Sequence, residues 1–539
     1  MSALMTLLRF RLRRDRVQLP VWIISTGLLL VFTSASLAHS YGSEANRVAV
    51  LKVAAGNPTL LALRGPVLGS SMGAFTAFEI LSFIALLAAL MNTFLAVRHS
   101  RADEESGRSE LVSATAAGRL TPTIATVLEG VIANVVLMVV LCLILLASGL
   151  DFSGSATFGW VVGATGLAFL GVGLLCAQIF STARASNGAA AALVGIAYVL
   201  RGIGDASGTP SADGLRVTSG LASWFSPIGW AQQSQPFTAN AWWTGLLGLG
   251  LGILAVVITL GLQSVRDHGA GLVAARSGRA SASALLGGPL GLAWRLQRAS
   301  ILGWAIAAIF GALLAGKLGA AVVTASAKDQ GISTAMRSFA PSGSGAILQV
   351  FVAAMMGIIG LVVAGCMLQT VMRLRQEEAA GTAEVVLATG VARISWLLGY
   401  LLMGALSAVL IMLLGGLITG ALLAQVSGSE IFGQSVASAL VQLPAAFVYM
   451  TVLGFVFALT PRLTIGAGWA MLALGAFLGQ FGGLLQLPGW LRSISPFEHT
   501  PALPLAHADF SGAIGMIAVS LLATIAAAWL FRRRDLAIG

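Results

Sequence analysis

Charge is what this sequence has least of. Only 9% of the 539 residues are Asp, Glu, Lys or Arg, whereas soluble globular domains carry about 25%. This scarcity excludes a soluble globular protein, and the 57% of hydrophobic residues indicates a chain that crosses a membrane many times. The three cysteines lie within apolar runs, so the sequence predicts no disulfide framework.

The net charge of +11 does not indicate nucleic-acid binding, because the arginines stand in short segments between hydrophobic runs. Cationic segments of this kind orient membrane helices and collect on the cytoplasmic side. Residues 1–18 carry five arginines among leucines and predict a basic amphipathic helix on the inner membrane surface. The plainer interpretation is a positive flank that orients the first span. Both interpretations place the N-terminus in the cytoplasm.

Hydropathy predicts an all-α polytopic membrane protein with twelve transmembrane helices. Each apolar run is close to the 20 or so residues that cross a bilayer. The runs are 19–39, 75–97, 121–149, 157–181, 188–204, 241–263, 300–324, 346–371, 395–424, 433–459, 465–486 and 510–531. An even number of spans returns the C-terminus to the cytoplasm. This topology places 22 of the 31 Lys and Arg residues on the cytoplasmic side, as the positive-inside rule requires.

The second half of the chain repeats the first. Arg13, Arg16 and Trp22 match Arg295, Arg298 and Trp304, and a Ser-Pro pair precedes both the sixth and the twelfth span. The sequence therefore predicts two parallel six-helix repeats. The first half is 1–263, with the N-terminal helix and a charged segment at 98–119. A Gly-, Ser- and Ala-rich cytoplasmic linker at 264–290 joins it to the second half, 291–539, with a charged segment at 373–393.

Two segments with nearly the same sequence carry much of the charge. Residues 101–119 and 375–393 align without a gap and together hold seven of the twenty acidic residues. The matched pairs include Arg101 with Arg375, Glu104 with Glu378, Gly107 with Gly381, Glu110 with Glu384, Thr115 with Thr389 and Arg119 with Arg393. Seven charges in the first segment, at about 2.5–3.5 kcal/mol each, would cost roughly 20 kcal/mol in lipid. The segment therefore lies in water.

The first charged segment predicts a short helix, because Glu104, Arg108 and Leu111 are spaced to share one face. Gly107 and Gly381 allow a sharp turn where the chain leaves the membrane. Repetition after the second span of each half favours a docking function, in which the matched residues contact a soluble partner that moves the spans. The alternative is a solvated loop with ordinary salt bridges.

The pattern Glu-x-x-Gly-x-x-Glu-apolar-x-x-Ala-Thr, after the second of six spans, resembles the coupling helix of ABC-2-type transporter permeases. The basic N-terminal helix resembles the elbow helix of that family. The fused twelve-span form, with Asn57-Pro58 and Gly65-Pro66 in the first outer loop, is similar to actinobacterial permeases of polyketide-antibiotic exporters, including the tetronasin-type group. The second half departs from the first at Ala379, which stands in place of Glu105. Its outer loop at 337–341 also lacks the two proline pairs.

This resemblance implies a pseudo-dimeric permease of the plasma membrane, of the type V exporter kind, that moves hydrophobic antibiotics, drugs or lipids out of the cell. Two copies of a separate ATPase subunit would dock on the twin segments and would carry the ATP and magnesium. The chain itself would be no enzyme and would hold no cofactor. Gly311 and Gly316-Lys317 have the spacing of a phosphate loop, but Leu318 replaces the Ser or Thr that binds magnesium.

A few polar residues within the spans are candidates for other functions. Glu79 and Glu129 are candidates for the substrate path or gating, and we expect both to face interfacial water. Arg201 and Asp205 are interpreted as a local ion pair. His499 and His507 lack a third ligand, so no metal site is predicted.

Two other functions remain open. The first is a proton-driven twelve-span multidrug carrier, which needs titratable groups at the membrane midplane. The second is a membrane enzyme that acts on lipid-linked substrates, for which clustered acids or a metal set would be needed. The acids of the outer segments are scattered along the chain, which disfavours the enzyme.

Overall fold

The computed structural model describes residues 3–115, 117–267, 269–273, 281, 286–328, 344–481, 488–501, 503 and 509–537. His507 and the loop at 337–341 lie outside these residues, as do residues 268, 274–280 and 282–285 of the predicted linker. Twelve of the described helices are long and apolar enough to cross a membrane, which confirms the all-α fold with twelve transmembrane helices. The chain divides into two compact units, Met1–Gly278 and Arg279–Gly539.

The first unit contains helices α1 to α12. They are α1 (Ala3–Arg14), α2 (Gln18–Ser40), α3 (Glu44–Ala55), α4 (Pro58–Arg64), α5 (Met72–Arg98), α6 (Arg101–Glu105), α7 (Arg108–Ser113), α8 (Thr121–Ala147), α9 (Phe152–Ile179), α10 (Ala183–Ala206), α11 (Pro227–Gln233) and α12 (Thr244–Val265). Thr209–Pro210 (β1) and Val217–Thr218 (β2) form an antiparallel pair between α10 and α11.

The second unit contains helices α13 to α21. They are α13 (Pro289–Lys328), α14 (Ser344–Ala379), α15 (Thr382–Leu387), α16 (Arg393–Ser427), α17 (Glu430–Leu440), α18 (Leu443–Leu459), α19 (Thr464–Ala476), α20 (Gly489–Arg492) and α21 (Ser511–Arg533). Helices α17 and α18 together make one span, with a break beside Pro444. The predicted span at 465–486 is described only as far as residue 481.

Polar caps, which hydropathy does not detect, set the starts of two spans. Helix α9 begins at Phe152, where the Asp151 carboxylate accepts a hydrogen bond of 2.7 Å from the Gly154 amide. Helix α10 begins at Ala183 because the Thr182 hydroxyl accepts from the Ala185 amide. The sequence places both starts five residues too late, since it registers only the apolar part of each helix.

Helices α5 and α9 form the centre of the first unit and are its most buried spans. Helix α12 packs against α9 through glycines: a Cβ added at Gly171 would come within 2.6 Å of the Gly252 carbonyl oxygen. Small residues of this kind let two helix backbones approach closely. Close packing matters in a membrane because lipid tails are as apolar as the side chains, so the hydrophobic effect does not drive helices together. Helix α1 packs on α8 with Leu8 and Arg11 buried, whereas Phe10 is 62% exposed.

The second unit is held together by α13 with α16 and by α14 with α18. An aromatic cluster joins three of its spans, because Trp396 of α16 stacks on Phe531 of α21 and Phe531 contacts Phe457 of α18. The ring centroids of these pairs are 5.6 and 5.7 Å apart. The cluster lies near the C-terminal end of α21 and therefore fixes that end of the helix against α16 and α18.

Candidate functional site

Each of the two matched charged segments, 101–119 and 375–393, contains a left-handed glycine that redirects the chain. Gly107 has φ +71° and Gly381 has φ +73°, values that a residue with a side chain rarely adopts. Helix α7 starts after Gly107 and α15 starts after Gly381. The predicted turns at the two glycines are confirmed. The prediction of a single short helix that contains Glu104, Arg108 and Leu111 is wrong. Glu104 lies in α6, before the turn, so it does not share a helix face with Arg108 and Leu111.

In the first unit, buried arginines fix the start of the segment. Arg101, which is 1% exposed, donates to the Ala177 carbonyl oxygen at 2.9 Å and to the Glu104 carboxylate at 2.6 Å. Arg266, the residue after α12, pairs with the other oxygen of Glu104 at 2.6 Å. Arg119, at the end of the segment, donates to the Arg266 carbonyl oxygen. The segment is thus bonded to the chain that follows the sixth span.

The second unit repeats this arrangement. Arg534, the residue after α21, binds both oxygens of the buried Glu378 carboxylate, at 2.5 and 2.9 Å. The Ala537 amide donates to the same carboxylate at 2.7 Å. Arg393 donates to the Arg534 carbonyl oxygen and Arg375 to the Ala537 carbonyl oxygen, both at 2.7 Å. We call the two sets of bonds the anchors, Glu104–Arg266 and Glu378–Arg534.

The anchors divide the predicted docking residues into two groups. Arg101, Glu104, Arg375 and Glu378 are mostly enclosed within their own unit, so they position the segments rather than present a contact surface. Sequence reasoning missed their partners, Arg266 and Arg534. The available signal was the Arg-Asp pair that follows the last span of each half, Arg266-Asp267 and Arg534-Asp535.

The second group lies on the exposed surface of α7 and α15. Glu110 and Glu384 are exposed there, as are Thr115 and Thr389 just after each helix. The threonine hydroxyls bond back to the carbonyl oxygens of Val112 and Val386 at 2.6 Å and so close each helix. Beside them, apolar side chains at equivalent positions point outward. Leu111 is 74% exposed and Val385 is 70% exposed.

A cavity of about 700 Å³ lies between α1 and the first charged segment. Its wall includes Arg11, Arg14, Arg108 and Arg119 together with apolar side chains of α1 and α7. Burial lowers the pKa of Arg11, but an arginine side chain remains protonated at neutral pH. The wall also includes Asp103 and Glu104, so it combines four arginines and two acids with apolar side chains.

The two candidate acids within the spans have different surroundings. Glu79 pairs with Arg64 of α4, and its side chain is 14% exposed. Glu129 is fully buried in α8, with a carboxylate oxygen 3.5 Å from Nε2 of His99. The expectation that Glu129 faces interfacial water is therefore wrong, because the side chain points into the unit. Arg201 and Asp205 form the expected ion pair at 3.1 Å, and both are fully buried.

Comparison with known proteins supports one family over the whole chain. A family model described as "Multidrug efflux system permease Rv1217c, C-terminal domain" matches residues 286–532. The multidrug efflux system permease protein Rv1217c of Mycobacterium tuberculosis (strain ATCC 25618 / H37Rv) is 35% identical over 538 residues. The alignment covers 98% of this chain and 94% of that protein. The chain therefore belongs to the family of the Rv1217c multidrug efflux permease and is a multi-pass protein of the plasma membrane.

Proposed function

We propose that this permease is the membrane subunit of an ATP-binding-cassette exporter for hydrophobic compounds, powered by two copies of a separate ATPase subunit. Family membership supports a drug-exporting permease. The ATPase partnership rests on the matched charged segments. Each segment provides a short helix that is fixed at its base and exposed at its surface, as a docking element for a soluble partner should be.

The main support for the proposal is an arrangement that both units share. In each, the first residues of the charged segment are enclosed and the short helix that follows is exposed. A single exposed leucine on a protein surface needs no explanation. Here Leu111 and Val385 occupy equivalent positions and have nearly equal exposure, although the residue type differs. Each apolar side chain lies next to an exposed glutamate, Glu110 or Glu384. The proposed partner surface is therefore an apolar pocket with a basic rim.

The anchors suggest how movement of the ATPase subunits reaches the membrane. Each segment follows the second span of its unit directly and is bonded through its anchor to the end of the last span. A displacement of α7 or α15 would therefore pull on both spans at once. Rocking of rigid groups of helices is a common form of such transitions. The ATP and magnesium would be bound by the partner.

The surroundings of Gly316 do not fit a phosphate loop at this position. Gly311, Gly316 and Lys317 lie in the helical span α13, without the strand and loop that a phosphate site requires. A Cβ at Gly316 would lie 2.6 Å from the Leu422 side chain. The need for a small residue at this position is therefore explained by contact with α16.

The test is a double substitution, Leu111→Asp with Val385→Asp, which places a charge at the centre of each proposed contact. The chain is purified from native membranes in mild detergent, and ATP hydrolysis in the eluate and ATP-dependent drug uptake by inverted vesicles are measured. We expect both to fall by at least about tenfold, because burying an unpaired carboxylate costs several kcal/mol.

The matched control is Leu221→Asp with Trp490→Asp. These side chains are 74% and 70% exposed, one in each unit, and lie outside the charged segments. The control should keep the wild-type activities. Equal activity of the docking variant and the control would reject the docking surface.

The alternative function is a proton-driven carrier, and one observation favours it. His99 lies between the buried carboxylates of Asp15 and Glu129, which are groups that could exchange protons. Uptake that follows a proton gradient in vesicles without ATP would support this alternative and reject the ATPase partnership.

A further inference from the structure

Three ligand-type side chains meet inside the first unit. Asp15 lies between α1 and α2, His99 follows α5, and Glu129 lies on α8. All three are at most 1% exposed, and one ligand atom from each lies within 4.8 Å of the other two. Nε2 of His99 is 2.8 Å from Oδ2 of Asp15 and 3.5 Å from Oε2 of Glu129. Three separate segments of the chain therefore converge on one small volume.

The Glu129 carboxylate is left without a donor in this arrangement. Neither of its oxygens accepts a hydrogen bond from any residue that the structure describes. The nearby Arg11 guanidinium instead donates to the Thr126 hydroxyl, the Pro122 carbonyl oxygen and the His99 carbonyl oxygen. A buried carboxylate without hydrogen bonds costs several kcal/mol unless it takes up a proton or gains a cation close by. The cluster therefore favours an added positive charge, either a proton on Glu129 or a cation between the three side chains.

We propose that the Asp15–His99–Glu129 cluster binds a divalent zinc ion. Imidazole nitrogen and carboxylate oxygen are both ordinary zinc ligands, with bonds of about 2.0–2.2 Å. Ligand atoms around a tetrahedral ion of that size are separated by about 3.3 Å. The His99–Glu129 separation of 3.5 Å agrees with this spacing, and the His99–Asp15 separation of 2.8 Å would widen by about half an ångström. The Asp15 and Glu129 oxygens lie within 4.8 Å of each other.

A carboxylate also lies on the other side of the His99 ring, where a metal-binding histidine usually directs its second nitrogen. Nδ1 of His99 is 4.0 Å from Oδ2 of Asp103, which is too long for a hydrogen bond, and Asp103 is held by Arg14 at 2.8 Å. Oδ1 of Asp15 is 3.0 Å from Arg98, which leaves Oδ2 for the ion. His99 also forms part of the wall of the 700 Å³ cavity beside α1, so the cluster lies next to that cavity.

The second unit does not repeat these ligands. With the offsets that align the two halves, Asp15 corresponds to Gln297, His99 to Arg373 and Glu129 to Met403. Arg373 pairs instead with Glu377. The proposed zinc site is therefore single and confined to the first unit. There the ion would join the loop after α1 to α8 and to the residues that lead into the first charged segment.

The proposal is tested with full-length, tag-free protein that is purified in detergent without chelator. We expect about one zinc per chain by elemental analysis. Stripping the metal should lower the thermal unfolding midpoint, and added Zn²⁺ should restore it. Glu129→Gln keeps the shape of the side chain but removes the charged ligand, so zinc affinity should fall by at least about tenfold.

Glu79→Gln is the matched control. Glu79 is also an acid within a span of the first unit, but it pairs with Arg64 and lies outside the cluster. It should bind zinc as the wild type does. The proposal is overturned if wild-type protein binds no zinc and its unfolding midpoint does not respond to Zn²⁺, or if Glu129→Gln and Glu79→Gln bind zinc equally. If Glu129→Gln fails to fold, the zinc content of the wild-type protein and the response of its unfolding midpoint to Zn²⁺ decide the question.

Discussion

The second anchor should be the stronger of the two, and removal of its arginine tests this directly. In Arg534→Ala, the fully buried Glu378 side chain loses two bonds to the guanidinium, of 2.5 and 2.9 Å, and keeps the bond from the Ala537 amide. Removing one partner of a buried ion pair costs about 3–5 kcal/mol. The charge also lies 5.0 Å from the ring centroids of Phe457 and Phe531, so those contacts are lost as well.

Arg266→Ala in the first anchor should have a smaller effect. Glu104 loses one bond of 2.6 Å but keeps its pair with Arg101, also at 2.6 Å, so the carboxylate remains neutralised. The expected loss is about 1–3 kcal/mol, which is the value of one charge-assisted hydrogen bond. The two matched substitutions should therefore differ in cost because Glu104 keeps an arginine partner, Arg101, when Arg266 is removed.

Hydrogen exchange of peptides from the two segments measures this difference. A loss of about 3 kcal/mol in local stability speeds exchange on the order of 100-fold, up to the limit set by the open state. We expect faster exchange in 382–387 for Arg534→Ala, and a smaller change in 108–113 for Arg266→Ala. The double variant Glu378→Gln with Arg534→Gln should recover part of the loss, because no charge stays buried. Unchanged exchange in Arg534→Ala would refute the claim that the anchor stabilises α15. An equal or larger effect of Arg266→Ala would refute the claim that the second anchor is the stronger one.

Two further predictions concern residues outside the anchors. Gly381→Ala places a side chain at φ +73°, so we expect a loss of about 1–2 kcal/mol at the turn and faster exchange in α15, whereas Gly399→Ala within α16 should leave that exchange unchanged. Arg201→Ala leaves the fully buried Asp205 without its partner and should destabilise the first unit by about 3–5 kcal/mol in thermal unfolding. The half-exposed pair of Arg492 with Glu498 serves as a control, and Arg492→Ala should cost less than about 1 kcal/mol. A similar result for the two arginines would contradict the role of burial.

Hydropathy was sufficient to predict the twelve spans because the bilayer imposes a length and a composition on each of them. Local chemistry predicted the turns at Gly107 and Gly381, since the left-handed conformation depends on the glycine itself. The ion pair of Arg201 and Asp205 was also predictable, because the two residues are one helical turn apart. In each case the signal lies within a few neighbouring residues.

Contacts between distant parts of the chain could not be obtained in this way. Arg266 is 162 residues from Glu104, and Arg534 is 156 residues from Glu378. Asp15 and His99, which belong to the proposed zinc site, are 84 residues apart. No periodicity links such positions, and the pairing depends on how whole helices pack. For the same reason Glu129 was placed at an interface from its position along α8, although the structure buries it.

Transport by the reconstituted complex tests the central claim most directly. The permease and the proposed ATPase subunit are placed together in proteoliposomes, and drug movement is measured with ATP alone and with a proton gradient alone. The account predicts movement with ATP, no movement with the gradient, and loss of the ATP-driven movement in the Leu111→Asp and Val385→Asp double variant. Movement driven by the proton gradient without ATP would contradict it.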